Sequence, residues 1–149
     1  MKTIKIGDVF KIDTSKGMAL LHYIYDDKKI CQLIRVLPGL YTELPEDFNF
    51  ILEKKERYMV FFPVLEALKK NIISKLGNYP IENFKKPMFM KSEHTVRGTF
   101  LGWHIINTET WQREFVEKLT VEQKKLSPWG VWNDTYLKQR LITNWSLED

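Results

Sequence analysis

Between Ile4 and Val36 the chain carries three stretches that suit a sheet and little else. Ile4, Ile6, Phe10 and Ile12 recur at every second position, Asp8 excepted, which is the period of a half-buried strand. Leu20-Leu-His-Tyr-Ile-Tyr25 and Lys29-Ile-Cys-Gln-Leu-Ile-Arg-Val36 are β-branched, aromatic and aliphatic. They meet at Asp26-Asp27-Lys28, so they read as a hairpin. A chain that opens this way is expected to build a curled antiparallel sheet.

The remainder is mixed. Pro38-Gly39 and Leu44-Pro45-Glu46-Asp47 mark a loop with tight turns. Arg57-Tyr-Met-Val-Phe-Phe-Pro63 reads as a strand ended by its proline, and Leu65-Glu-Ala-Leu-Lys-Lys70 as one or two helical turns. Asn78-Tyr79-Pro80 and Lys86-Pro87 punctuate what reads as a long irregular segment. Strand character resumes over Thr99-Phe-Leu-Gly-Trp-His-Ile-Ile106. Trp111, Phe115 and Leu119 fit either a helix or one face of a strand, and the turn-like residues 107–110 favour a returning hairpin. Thr120-Val-Glu-Gln123 has the form of a capping box. Asn133 is a good N-cap, Asp134 suits the positive helix end, and Leu137, Leu141, Ile142 and Trp145 form one apolar stripe. The fold class is therefore α+β, predominantly antiparallel β: a bent sheet or partly open barrel closed by a C-terminal helix from about 133 to 145.

The 149 residues suit one domain spanning 1–149, and 44% apolar content supports a core without staples. Cys31 is the only cysteine, so no internal disulfide can form, and the thiol sits in an apolar run as a small hydrophobe. The start Met-Lys-Thr-Ile-Lys lacks the apolar stretch of a signal peptide, and no run reaches the roughly 18 apolar residues of a spanning helix. A cytoplasmic location and no membrane association are expected.

Catalytic and cofactor patterns are missing. His22, His94 and His104 belong to no zinc spacing, Asp8 beside Gly7 suits turn chemistry, and Gly98-Thr-Phe-Leu-Gly102 lacks the Lys-Ser/Thr of a phosphate loop. No serine sits in an elbow motif. The chain reads as a binder, not an enzyme, with no cofactor and no metal. Trp103 and Trp145 fall on core-facing stripes. Trp111, Trp129, Trp132, Tyr41 and Tyr79 lie at turns or loop edges, where they either anchor an interface or cover the ends of the sheet.

A run of motifs in fixed order then has a precedent. Lys5-Ile-Gly-Asp-Val-Phe, the hairpin ending in Arg35-Val36, Phe62-Pro63, Lys75-Leu-Gly-Asn, Lys86-Pro-Met-Phe-Met-Lys91, Gly102-Trp-His-Ile and the closing Trp132-Asn…Leu137…Arg140-Leu…Trp145 together resemble the immunity protein 26 family of bacterial polymorphic toxin systems. The resemblance covers nearly the whole chain. It implies a cytoplasmic antidote, mostly β with some helix, that neutralises a cognate toxin domain by direct binding and without catalysis. Such proteins have no defined catalytic residues.

Charge complicates the simplest form of that expectation. A plug for a cationic nuclease site should be acidic, yet the net charge is +4 and the pI about 9.1. Acids outnumber bases only locally, over 43–56. The expected partner-binding residues are thus Tyr41, Glu43, Glu46 and Asp47 on the acidic loop, with Trp129 and Trp132 on a turn set by Pro128 and Gly130. The alternative is a small-barrel nucleic-acid binder using Lys69, Lys70, Lys75, Lys85, Lys86 and Lys91. Oligomeric state and the toxin's chemistry are not encoded in any motif.

Overall fold

The computed structural model describes residues 2–79, 81 and 86–148. Its elements are β1 (Asp8–Thr14), β2 (Gly17–Asp26), β3 (Gln32–Val36), α1 (Asn49–Leu52), β4 (Tyr58–Phe61), α2 (Val64–Lys69), β5 (Ile73–Asn78), β6 (Phe89–Val96), β7 (Thr99–Asn107), β8 (Arg113–Val116), α3 (Val121–Lys124) and α4 (Asp134–Ile142). The strands form two antiparallel sheets, ordered β4-β3-β2-β1-β5 and β6-β7-β8. Neither closes into a barrel, so the architecture is an open α+β arrangement with the expected C-terminal helix.

The opening strand begins later than the alternation suggested. Lys5, Ile6 and Gly7 make a turn in which Asp8 Oδ2 accepts from the Lys5 N–H at 2.8 Å, leaving Ile6 exposed. From Asp8 onward both faces of the five-stranded sheet are covered, which is why β2 is apolar almost without interruption. Register puts Phe10, Leu21 and Val36 on one face, with Ile12, Ala19, Tyr23, Ile34, Tyr58 and Val60. That face packs on α2 and α4 through Val64, Ala67, Leu68, Leu137 and Leu141. The opposite face holds two smaller clusters. Val9, Leu20 and Leu37 meet Ile51 and Leu52, while Ile24, Leu33 and Phe61 meet Met90 of the second sheet.

Several local readings hold. The 57–63 run becomes β4, the helical turns read at 65–70 become α2, the β7–β8 hairpin forms, and Thr120 and Gln123 make the reciprocal capping box. Asn133 caps α4 by accepting from the Tyr136 N–H at 2.7 Å, though the helix stops at Ile142 and Trp145 lies beyond it. The segment read as irregular needs correction: residues 73–78 and 89–96 are strands. Neither looks like one in sequence, because β5 is an edge strand carrying Lys75, Gly77 and Asn78, and β6 is largely polar along its outer half.

The two sheets are joined by residues 127–132. Lys91 N–H donates to Ser127 O at 3.0 Å, and Trp129 N–H returns to Lys91 O at 2.7 Å. Three residues on, Trp132 N–H donates to Phe61 O at 2.9 Å. The segment therefore runs parallel to β6 and then to β4, closing part of one sheet edge with each half.

Candidate functional site

That joining segment decides the fate of two expected contact residues. Trp132 is buried at 7% exposure in the main core. Its ring packs on Tyr58 at 5.4 Å, Tyr136 at 4.9 Å and Trp145 at 5.6 Å. This corrects the expectation that a turn around Gly130 presents it to a partner: pairing with β4 fixes it inward. Trp129 is half-buried, its indole under the Arg113 guanidinium at 5.4 Å and edge-on to Trp111 at 6.5 Å. Trp103, Trp129, Trp132, Tyr136, Arg140 and Trp145 line a cleft of about 240 Å³. That is below the size of ordinary small-molecule sites, and its rings mostly satisfy one another. At its floor Lys91 is buried, donating to Lys124 O at 2.7 Å and Leu147 O at 2.5 Å. Burial pushes the Lys91 pKa down, against an opposing pull from Glu148. These are the bonds of a structural lysine holding the C-terminal segment.

A second polar group lies under the five-stranded sheet. His22 and Arg35 face each other across β2 and β3, both fully buried. Arg35 Nη1 lies 3.0 Å from His22 Nδ1 and, being able only to donate, fixes the proton on Nε2, which faces Tyr79 O at 3.2 Å. Arg35 Nη2 also donates to Leu52 O and Lys54 O at 3.2 and 2.9 Å, and Nε sits 3.7 Å from Glu56. Burial holds the His22 pKa below its ordinary value, and the neighbouring Arg35 charge adds to this. The arrangement closes the loop over residues 49–56 onto the sheet. Asp8 plays a similar part at the β1–β5 edge. Burial disfavours its charge, but Asn78, the Lys5 N–H and Lys75 outweigh that and keep its pKa below the usual carboxylate value.

On the acidic loop Glu43, Glu46 and Asp47 are exposed. Tyr41 is partly committed to packing: it bridges to Met18 and its hydroxyl donates to Pro38 O at 3.2 Å. The loop and Trp129 lie on different elements, and no contact brings them into one site. The lysines do not make a common face either. Lys69 and Lys70 are exposed at the end of α2, Lys75 pairs with Asp8, Lys86 donates to Thr108 O, and Lys91 is buried. Lys85 lies outside the described residues. Cys31 is half-buried, and burial pushes its thiol up to about 11. That is the opposite of an activated nucleophile.

The surface that sequence reasoning passed over is the far half of the three-stranded sheet. Val96, Phe100, Leu101 and Phe115 are 44–50% exposed there. The β6–β7 register shifts after His94, at Gly102, whose missing side chain leaves room for the Phe115 ring: a Cβ would stand 2.6 Å from Val116 O and 2.9 Å from that ring. The same register brings His94 and His104, remote in sequence pattern, to a ring separation of 4.5 Å. Only the pairing of β6 with β7 reveals this, so no spacing rule could have found it. Among the described residues no group of three or more His, Cys, Asp or Glu is placed to hold a metal, and no helix is long and apolar enough to cross a membrane.

Comparison with known proteins adds no relatives. No family model, no curated protein and no solved structure matches this chain.

Proposed function

We propose that this protein acts by binding another protein, and that the partner is a bacterial toxin domain which it neutralises in the cytoplasm. The observation that carries the binding half is the exposure of Val96, Phe100, Leu101 and Phe115 at the far end of β6, β7 and β8, with Phe115 on the His94–His104 face and Phe100 on the Trp103 face. Large apolar side chains left exposed together at one end of a sheet are a mark of interaction surfaces. The outer side of β8 has no neighbouring strand among the described residues, so backbone donors and acceptors are also offered there. The toxin half rests on the resemblance of the ordered motifs to the immunity protein 26 family.

Nucleic-acid binding is the competing reading. The dispersal of Lys69, Lys75, Lys86 and Lys91 over separate surfaces, two of them tied by side-chain bonds and one buried, speaks against the continuous basic stripe such binding uses. The test is co-expression with the C-terminal domain of any large secreted protein encoded beside it. Growth rescue and a complex that survives gel filtration are expected. Failure of both, or tight binding to nucleic acid alone that weakens steeply with salt, overturns the proposal.

A further inference from the structure

The His94–His104 pair has a geometry beyond packing. Ser92, His94, His104, Arg113 and Phe115 share one face of the small sheet, while Glu93 and Glu114 point to the other. The two imidazoles are half-exposed, tilted by 42° with centroids 4.5 Å apart. Phe115 walls one side, edge-on to both rings at 5.7 and 6.0 Å. Among the described residues neither imidazole hydrogen-bonds to a protein group, so a ring nitrogen of each remains open to an outside ligand.

A metal ion at about 2.0–2.1 Å from one nitrogen of each ring sits roughly 3.2 Å from each centroid. Two such rings at a right angle about the metal place their centroids about 4.5 Å apart, and at a tetrahedral angle about 5.2 Å. The observed separation matches the right angle, the cis arrangement of tetragonal Cu²⁺ or Ni²⁺. We propose that His94 and His104 form a two-ligand site for a late first-row divalent cation, binding Cu²⁺ ahead of Ni²⁺ and Zn²⁺, with water or a partner's side chain completing the coordination. Neutral imidazole is the binding form of both rings. Arg113 on the same face repels the cation and sets the site's affinity below what the pair alone would give.

The test is titration of the untagged, full-length protein with CuCl₂, NiCl₂ and ZnCl₂ in a non-coordinating buffer, followed by calorimetry and by the electron paramagnetic resonance of the Cu²⁺ adduct. One tetragonal site with two nitrogen ligands is expected. His94→Ala and His104→Ala should each weaken Cu²⁺ binding about 10²-fold, because either change destroys the chelate. Arg113→Gln, which keeps both rings, should tighten it, and this variant carries the test should an alanine change disturb the sheet. Cu²⁺ affinity that is equal in the wild type and the double alanine variant, or untouched by Arg113→Gln, overturns the proposal and leaves the pair as packing only.

Discussion

The two sheets both carry large apolar residues but use them differently. The five-stranded sheet is covered on both faces, so Phe10, Leu21, Ile34 and Val60 are buried on one side and Val9, Leu20, Leu33 and Phe61 on the other. The three-stranded sheet is covered only near its base, where Met90 and Ile106 are buried, and its outer half leaves large side chains in solvent. The lesson is a division of labour within one chain. The larger sheet supplies the stability that lets the smaller one keep an incompletely buried, and therefore available, surface.

That contrast can be broken most severely at Phe10. Phe10→Ala, in the doubly covered sheet, should cost about 3–5 kcal/mol. The melting temperature should drop on the order of 10 °C, measured by calorimetry. A loss below 1 kcal/mol would mean that the larger sheet is not the stability reservoir.

The link between the sheets comes next. Lys91→Met removes the donor to the part-buried Lys124 and Leu147 carbonyls and should cost about 1–3 kcal/mol. The loss should be local, appearing in hydrogen exchange as faster opening of β6 and residues 124–132 while β1–β3 stay protected. Uniform loosening would instead show that the sheets unfold as one unit.

Acid should act on the larger sheet through His22. Because burial depresses its pKa below the ordinary 6.5, the unfolded chain takes up a proton at a pH where the folded chain does not. This contribution to stability is thus complete above about pH 6.5 and declines as the pH falls from there toward the folded-state value. His22→Gln, which keeps an acceptor for Arg35 and a donor for Tyr79, should flatten that decline in denaturant titrations between about pH 7 and pH 5. An unchanged slope would place the acid sensitivity elsewhere.

The smallest stability effect belongs to the small sheet. Phe115→Ala should change folding by no more than about 0.5 kcal/mol, while weakening the toxin complex by about 2 kcal/mol if the ring is a binding anchor. Charge reversal at Glu43, Glu46 and Asp47 should slow association without altering stability if the acidic loop steers the encounter. Opposite results for the two surfaces would sharpen the assignment of the interface to one of them.

Much of the larger sheet was legible because its strands are continuous β-branched or aliphatic runs separated by turn residues. The capped helix at Asn133 was equally plain, since caps are local. β5 and β6 were missed for the converse reason. Their stability comes from pairing with β1 and β7, and their own residues carry edge-strand and polar chemistry that resembles loop. Trp132 was misplaced because its burial depends on a bond to Phe61, far away in sequence. The His94–His104 pair needed strand register before it existed as a feature at all.

The segment at 127–132 also has a consequence in time. It bonds β4 and β6 only after both have been synthesised, and Leu147 supplies one of the two carbonyls that hold Lys91. Contacts this distant along the chain close slowly, because the intervening loop must first be ordered. On a ribosome the five strands of the larger sheet can pair while α4, which covers one of its faces, is still being made. The smaller sheet, with its apolar tip, takes its final position only once Leu147 has left the exit tunnel. The surface that we assign to partner binding is therefore tethered to the rest of the molecule only after α4 has been made.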